Sequence, residues 1–171
     1  AFLLYLGTTK KFDALRHHTL VLSERYKELV TDIFDRNIVP EDFSLYLHVP
    51  SRTDSSMAPE GGESIYALAP VSNLKADYDW KKNKHNFSEK IIDRLENHLG
   101  LEGLRESIKV RFEFTPEDFL RQRNSFLGSP WGMQPLLSQS AYFRPHNRHP
   151  KIKNLFLTGA GTHPGAGLPG V

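Results

Sequence analysis

The sequence of 171 residues contains no cysteine at all. This absence excludes disulfide bonds, catalysis by a thiolate, and every zinc site built on cysteine ligands. A protein without cysteine is compatible with any redox compartment, and a reducing cytosol is the simplest expectation. The histidines number eight, but their spacing shows no metal-ligand pattern with acidic partners. We therefore expect no metal site, and we interpret His17, His18, His146 and His149 as scattered surface imidazoles.

Long apolar runs are also missing. No stretch of the sequence approaches the length that a helix needs to cross a bilayer. The first seven residues, AFLLYLG, are apolar but carry no initiator Met and no basic segment typical of a signal peptide. Because the chain starts inside a strand-like run and stops just after a glycine-rich segment, we expect it to be a fragment of a longer protein.

An excess of charge of either sign is absent as well. Lysine and arginine total 22 and the acidic residues 20, which gives a formal net charge of +2. The basic residues are scattered, so the sequence does not indicate binding to nucleic acid. Hydrophobic residues at 39% are ordinary for a folded domain with its own core.

Alternation of apolar and polar residues predicts several strands. It is clearest at 43–49, 64–70 and 108–114, and shorter strand-like runs lie at 2–6 and 18–22. We expect the three alternating runs to belong to one predominantly antiparallel sheet, because each has a single apolar face. The fold class predicted is therefore α+β, a mostly antiparallel sheet with two or three packed helices.

Apolar residues at helical spacing predict those helices. Ser23 is placed to cap a helix from Glu24 to about Asp35. Asn86 and Glu89 have the spacing of a capping box for a helix near 87–98, preceded by a polar link that contains three lysines. Thr115 followed by Pro116 and two acidic residues is typical of a third helix start.

From Ser125 to Pro145 the periodicity is lost while the apolar content stays high. Aperiodic segments this apolar are usually packed under another element or face an apolar ligand. Both interpretations are equally open for each residue taken singly. The candidates for the lining of a hydrophobic channel are Phe126, Trp131, Met133, Tyr142 and Phe143.

The last eighteen residues, NLFLTGAGTHPGAGLPGV, carry the clearest chemical signal. Five glycines and two prolines follow one short apolar run, 155–157, which we expect to form a buried strand. Glycine is required where the backbone turns with positive φ or approaches a ligand closely. The segment is not a dinucleotide-binding GxGxxG motif, because Pro164 occupies the last glycine position, and it lacks the lysine of a phosphate-binding loop.

The segment Gly159 to Gly170 (GAGTHPGAGLPG) resembles the C-terminal signature of the bacterial and fungal phytoene desaturase family. Further similar pieces stand in the expected order upstream: DSSMAPEG at 54–61, the run at 66–70, FTPEDF at 114–119, Gly128-Ser129, and QSAYFRPHN at 139–147. The resemblance covers most of the chain. Only the terminal motif is specific to this family and its near relatives.

The resemblance implies an FAD-dependent oxidoreductase with two domains. Residues 1–140 would form part of the substrate-binding domain, and residues 141–171 would be the return into a Rossmann-like FAD domain. The cofactor-binding residues would be Gly159, Ala160, Gly161, Thr162, His163, Gly165, Gly167, Pro169 and Gly170. Because the N-terminal dinucleotide motif is not in this sequence, we expect the isolated chain to retain no FAD and to be inactive.

The implied reaction is the desaturation of a phytoene-like isoprenoid, with a peripheral position on the cytoplasmic side of a membrane. His163 is a weak candidate for proton removal, and shaping of the turn is the preferred role. Arg144 is a candidate for a phosphate contact or an ion pair. A related carotenoid isomerase, ketolase or saturase is not distinguished by the motif. A second alternative is a flavin-free prenyl-lipid binder that resembles the Rab escort proteins.

Overall fold

The computed structural model describes residues 1–134 and 136–167. The chain divides into two compact units, Ala1–Ser129 and Pro130–Val171. The first unit contains every strand and every α-helix of the described residues.

The first unit is built on one five-stranded sheet in which neighbouring strands are antiparallel, with the order β2-β3-β4-β1-β5. The strands are β1 (Phe2–Thr8), β2 (His18–Val21), β3 (Leu45–His48), β4 (Glu63–Ala69) and β5 (Ile108–Phe114). The three alternating runs of the sequence thus lie in one sheet. The predicted α+β class and the antiparallel arrangement are both confirmed.

Four α-helices accompany the sheet: α1 (Tyr26–Thr31), α2 (Trp80–Asn97), α3 (Leu104–Ser107) and α4 (Pro116–Arg123). The start predicted for α4 is confirmed in detail. Thr115 Oγ1 accepts from the backbone N–H of Asp118, and the Asp118 carboxylate accepts from the backbone N–H of Thr115 at 2.9 Å. This reciprocal pair satisfies two donors that a helix start otherwise leaves free.

Two helix starts predicted from the sequence are wrong. Helix α2 begins at Trp80, capped by the Asp79 carboxylate, so the lysines expected in a polar link lie in its first turns. Asp79 is the better cap because its carboxylate accepts from the backbone N–H of Lys82. Helix α1 begins at Tyr26 and continues as a π-helical turn over Asp32–Arg36, while Ser23 bonds to Asp42 and to the backbone of Arg25.

Helix α2 packs on one face of the sheet and forms the hydrophobic core with it. Phe87 lies edge-on to Phe2 at a centroid distance of 4.9 Å, and Trp80 stacks on Phe2 at 5.4 Å. Phe43 joins from the approach to β3, 5.0 Å from Phe87. The core-facing strand residues are fully buried: Phe2, Leu4, Leu6, Leu45, Leu47, Ile65, Ala67 and Ala69.

Strand β5 turns Arg111 and Glu113 toward helix α2, whereas Val110 and Phe112 lie on the opposite side of the sheet. Glu89 of α2 forms ion pairs with both Arg105 and Arg111, and Arg111 also pairs with Glu113 at 3.0 Å. The hydrogen bonds from the two arginines lower the pKa of Glu89 although partial burial opposes the shift. The predicted alternation in β5 is present, but Val110 and Phe112 of its apolar set are exposed.

The second unit is mostly turn structure. It contains short 3₁₀ turns at Leu137–Gln139 and Ala141–Phe143 and an isolated antiparallel bridge between Arg148 and Phe156. The expectation of a buried strand at 155–157 is therefore wrong, since Phe156 makes only that bridge and both Leu155 and Phe156 are exposed. Among the helices of the described residues, none has the length and apolarity that a membrane span requires.

Two phenylalanines on opposite sides of the sheet test this layering. Phe87 is 1% exposed and Phe112 is 52% exposed. We expect Phe87→Ala to lower the free energy of unfolding by about 3–5 kcal/mol because it leaves a cavity in the core. Phe112→Ala should cost less than about 1 kcal/mol, since the ring is already half in water. Urea unfolding followed by circular dichroism gives both values, and equal costs would contradict the layering.

Candidate functional site

The sheet has a second face that no helix of the described first unit covers completely, and it is lined by aromatic and apolar side chains. We call it the open face. It consists of the strand positions that alternate with the core residues: Leu3, Tyr5, Gly7, His18, Leu20, Tyr46, His48, Ser64, Tyr66, Leu68, Val110, Phe112 and Phe114.

One continuous line of rings crosses the open face from edge to edge. Direct pairing in the ladders places one ring of each strand beside the next, with centroid distances of 5.2, 6.4, 5.2 and 5.9 Å along the line. Because neighbouring strands are about 4.8 Å apart, the line is roughly 19 Å long. We call this line the aromatic row; it consists of His18, His48, Tyr66, Tyr5 and Phe112.

A second line of mostly apolar side chains runs parallel to the aromatic row. Its members pair across the same strands, and its end residue Phe114 packs edge-on to Phe119 of α4 at 4.7 Å. Leu3 and Phe114 are buried there, whereas Leu20 is exposed. The line consists of Leu20, Tyr46, Leu68, Leu3 and Phe114.

The open face is electrically almost neutral. Its strand positions, all of them described, include no Asp, Glu, Lys or Arg. Burial raises the pKa of Tyr66 to about 12, and the neighbouring phenols of Tyr5 and Tyr46 add to the shift. Burial also raises the pKa of Tyr5, while Arg123 opposes that shift. The phenols of Tyr5 and Tyr66 are therefore uncharged at physiological pH, and the face suits an apolar ligand.

Sequence reasoning missed the open face because it assumed that only one face of each strand is apolar. The signal was present in β1, where Phe2 to Leu6 is apolar without a break. It was present again in β4, where Tyr66 and Leu68 oppose the core positions. A strand that is apolar on both sides is either buried on both faces or has one face in contact with an apolar partner.

Three histidines meet at one end of the aromatic row. His17, directly before β2, joins His18 and His48, and one ring nitrogen of each lies within 4.8 Å of the others. The sequence analysis expected isolated imidazoles here. That expectation rested on the lack of acidic partners at metal-ligand spacing. The third histidine, His48, comes from β3, where it pairs with His18. Burial and the two neighbouring imidazoles lower the pKa of His48.

The second unit holds the glycine-rich segment. We call residues 159–167 the glycine turn. Thr162 stabilises it, because both its backbone N–H and its hydroxyl donate to the carbonyl oxygen of Gly159, at 3.0 and 2.8 Å. The backbone N–H of His163 donates to the carbonyl oxygen of Pro145 at 2.9 Å, and the Arg144 guanidinium donates to the carbonyl oxygen of Ala160.

Three glycines of the turn adopt a conformation that other residues rarely tolerate. The φ angles are +124° at Gly159, +132° at Gly165 and +128° at Gly167. A Cβ atom added at Gly159, Gly161 or Gly167 meets no atom within 4 Å, whereas one at Gly165 lies 3.4 Å from Arg144 Cζ. The backbone is thus open on one side at three glycines, which fits close approach by a planar group.

The ring of His163 is engaged with the backbone, since its Nδ1 lies 3.0 Å from the carbonyl oxygen of Ala141. His146 lies between it and Tyr142, at centroid distances of 5.6 and 5.3 Å. These contacts support the shaping role that the sequence analysis preferred. They also bring one candidate channel residue, Tyr142, close to the glycine turn.

All five candidate channel residues are exposed, with Phe126 in the first unit and the other four in the second. Tyr142 and Phe143 contact each other edge-on at 6.0 Å. Exposure of so many large apolar groups is not ordinary core packing. Two of the predicted cofactor contacts, Pro169 and Gly170, lie outside the described residues.

Comparison with known proteins gives one consistent result. No family model matches the chain. A lycopene-forming phytoene desaturase of Pantoea ananas is 50% identical over 171 residues, which is 99% of this chain and 35% of that protein. A neurosporene-forming phytoene desaturase of Rhodobacter capsulatus is 44% identical over 167 residues, 96% of this chain and 32% of that protein.

A further relative acts on a different carotenoid precursor by its name. The 4,4'-diapophytoene desaturase of Methylomonas sp is 38% identical over 168 residues, covering 98% of this chain and 33% of that protein. The chain thus spans about a third of the length of the curated relatives that it matches. Along nearly its whole length, the chain is homologous to one third of a carotenoid desaturase of the phytoene desaturase family.

Proposed function

We propose that this chain supplies the substrate-facing sheet of an FAD-dependent carotenoid desaturase. The reaction removes two hydrogens from a saturated carbon pair of a long isoprenoid. Two C–H bonds break, one C=C bond forms, a hydride passes to the cofactor and a proton is released. The desaturase names of the relatives support this reaction type.

The observation that carries the proposal is the open face. A phytoene-like chain offers no group that accepts or donates a hydrogen bond, so its site must be apolar and free of unpaired charge. The aromatic row and the line beside it meet both requirements across all five strands. Soluble domains rarely expose an apolar surface of this extent without a ligand or partner to cover it.

We propose that the cofactor binds beside the glycine turn. When bound, FAD would supply the two-electron acceptor for the hydride. Gly159, Gly161 and Gly167 would allow its ring close to the backbone, because no atom of the described chain fills the space beside them. Thr162 would hold the turn through its two bonds to Gly159, and His163 would shape it through Ala141.

The proposed boundary between the two domains, at 140/141, lies within the second compact unit. Residues 1–140 would belong to the substrate domain, and residues 141–171 would return toward the FAD domain. Phe126, Trp131, Met133, Tyr142 and Phe143 remain candidates for the lining of an apolar channel, because all five are exposed. A substrate that dissolves in lipid favours a peripheral position on the cytoplasmic side of a membrane for the whole protein.

The alternatives differ in their products. An isomerase would leave the hydrogen count unchanged, a ketolase would add oxygen, and a saturase would reduce double bonds. The relatives with curated names favour the desaturase. A prenyl-lipid carrier without flavin has no use for open glycines with positive φ, so the glycine turn argues against it.

Charged substitutions on the open face test substrate binding. We expect Phe112→Asp to lower kcat/KM for phytoene at least about tenfold, because a carboxylate would have to be desolvated against the polyene. Tyr26→Asp on α1 is the matched control, since Tyr26 is 56% exposed and Phe112 is 52% exposed. The control should keep wild-type activity. An unchanged kcat/KM in Phe112→Asp would contradict a substrate role for the open face.

Valine substitutions in the glycine turn test the cofactor site in the whole desaturase. The φ of Gly161 is not positive and a Cβ atom added there meets no atom within 4 Å, so Gly161→Val should leave the fold intact. We expect this variant to lose flavin, because a branched side chain would fill the space beside the backbone. The measurement is the flavin absorbance per protein after gel filtration, together with a melting curve.

A second pair of valine variants, at Gly167 and Gly100, separates cofactor loss from backbone strain. Gly167 and Gly100 both have positive φ and open surroundings, but Gly100 lies in the first unit, away from the glycine turn in sequence. Both valine variants should be destabilised by a similar amount, and only Gly167→Val should lose flavin. If both retained flavin, the turn would be a structural surface feature.

A further inference from the structure

The histidine cluster, His17, His18 and His48, brings three imidazole rings together at one end of the aromatic row. His17 Nε2 and His48 Nε2 lie 3.1 Å apart. In a tetrahedral zinc site with Zn–N bonds of about 2.0–2.1 Å, two ligand nitrogens are separated by roughly 3.3 Å. One pair of nitrogens is therefore already at the spacing of two ligands of one ion. The third ring nitrogen lies within 4.8 Å of both, a distance that side-chain rotation can shorten.

The backbone holds these three positions firmly. His18 and His48 are direct partners in the β2–β3 ladder. The backbone N–H of Val49 donates to the carbonyl oxygen of His17 at 2.9 Å, which extends the same pairing by one residue. Sites built on paired strands need little rearrangement when a ligand binds. The side chains of His17 and His18 still meet because the chain bends directly before β2.

Two of the rings already have the outer partners that metal-binding histidines need. His17 Nδ1 contacts the hydroxyl of Thr53, and His18 Nδ1 lies 2.8 Å from the hydroxyl of Tyr46. An imidazole whose Nδ1 is engaged in this way presents Nε2 to a metal ion, and the outer partner fixes the orientation of the ring. For His17, the nitrogen left over is the one that faces His48.

A hydrogen bond between two imidazoles would account for His17 and His48 but not for His18. The ring of His18 lies 4.4 Å from that of His17 and 5.2 Å from that of His48, so all three rings converge. In the described part of the chain, none of the three forms an ion pair with a carboxylate. Three imidazole nitrogen donors suit zinc, copper or nickel and not magnesium or calcium.

We propose that His17, His18 and His48 form a binding site for one first-row divalent cation, with Zn²⁺ as the reference ion. The ion would join the segment before β2 to β3 at one end of the aromatic row, and its fourth ligand would be water. This inference does not depend on the proposed desaturase activity, because it rests on the cluster alone.

Zinc binding by the protein that carries this chain, purified without a histidine tag, tests the proposal. Samples are dialysed against Zn²⁺ and analysed for bound metal, and affinity is measured by calorimetry. We expect one equivalent in the wild type and at least a tenfold weaker affinity in His17→Gln, His18→Gln and His48→Gln. The control is His98→Gln at the end of α2, an exposed histidine outside the cluster, which should bind as the wild type does.

A second readout does not depend on any single variant folding. Zn²⁺ should raise the melting temperature of the wild type and of His98→Gln, and Co²⁺ should give the visible absorption of a low-symmetry site. Circular dichroism without metal identifies any misfolded cluster variant. The zinc affinities of the cluster variants that do fold then test the proposal. The proposal is overturned if the wild type binds no zinc, or if the wild type and all folded cluster variants bind it equally.

Discussion

The structure depends on the packing of one long helix against one side of an antiparallel sheet. Phe2, Trp80 and Phe87 form the centre of that contact. Once these rings are buried, the register of β1 is fixed, because a slip by one residue would move Phe2 and Leu4 to the other face. The neighbouring registers follow from β1, since it pairs with both β4 and β5.

The same constraint creates the open face. With one face of the sheet committed to α2, every second strand residue must point the other way. In most antiparallel sheets those positions are polar, and here they are mostly aromatic or aliphatic. Arg111 and Glu113 of β5 lie instead on the helix side, where Arg111 pairs with both Glu89 and Glu113. This inversion leaves the strand positions of the open face without charged side chains, as the proposed hydrocarbon substrate requires.

Sequence patterns predicted the local structure well where one force dominates. The period of two placed β3, β4 and β5 in one sheet, and the cap at Thr115 fixed the start of α4. The pattern gave the wrong start for α2, because Asp79 and the lysines after it look polar in sequence whichever structure they adopt. It also assigned the apolar residues of β5 to the core, since alternation shows that two faces differ but not which one is buried.

The candidate site divides in the same way. The glycine turn was recognised from local composition, because backbone conformations with positive φ favour glycine. The aromatic row and the histidine cluster were not found, because their members come from five strands and meet only through pairing. His48 is 30 residues from His18 in sequence and directly opposite it in the ladder. No spacing rule within one chain segment detects such a pair.

The central proposal is that this chain belongs to a desaturase that passes a hydride from a hydrocarbon substrate to a flavin. A single-turnover experiment on the whole desaturase tests it most directly. The FAD-loaded protein is mixed with phytoene without oxygen, the flavin absorbance is followed, and the product is analysed by mass spectrometry. The account predicts that bleaching of one flavin accompanies one product lighter by two hydrogens. A product of unchanged mass, or one formed without loss of flavin absorbance, would contradict it.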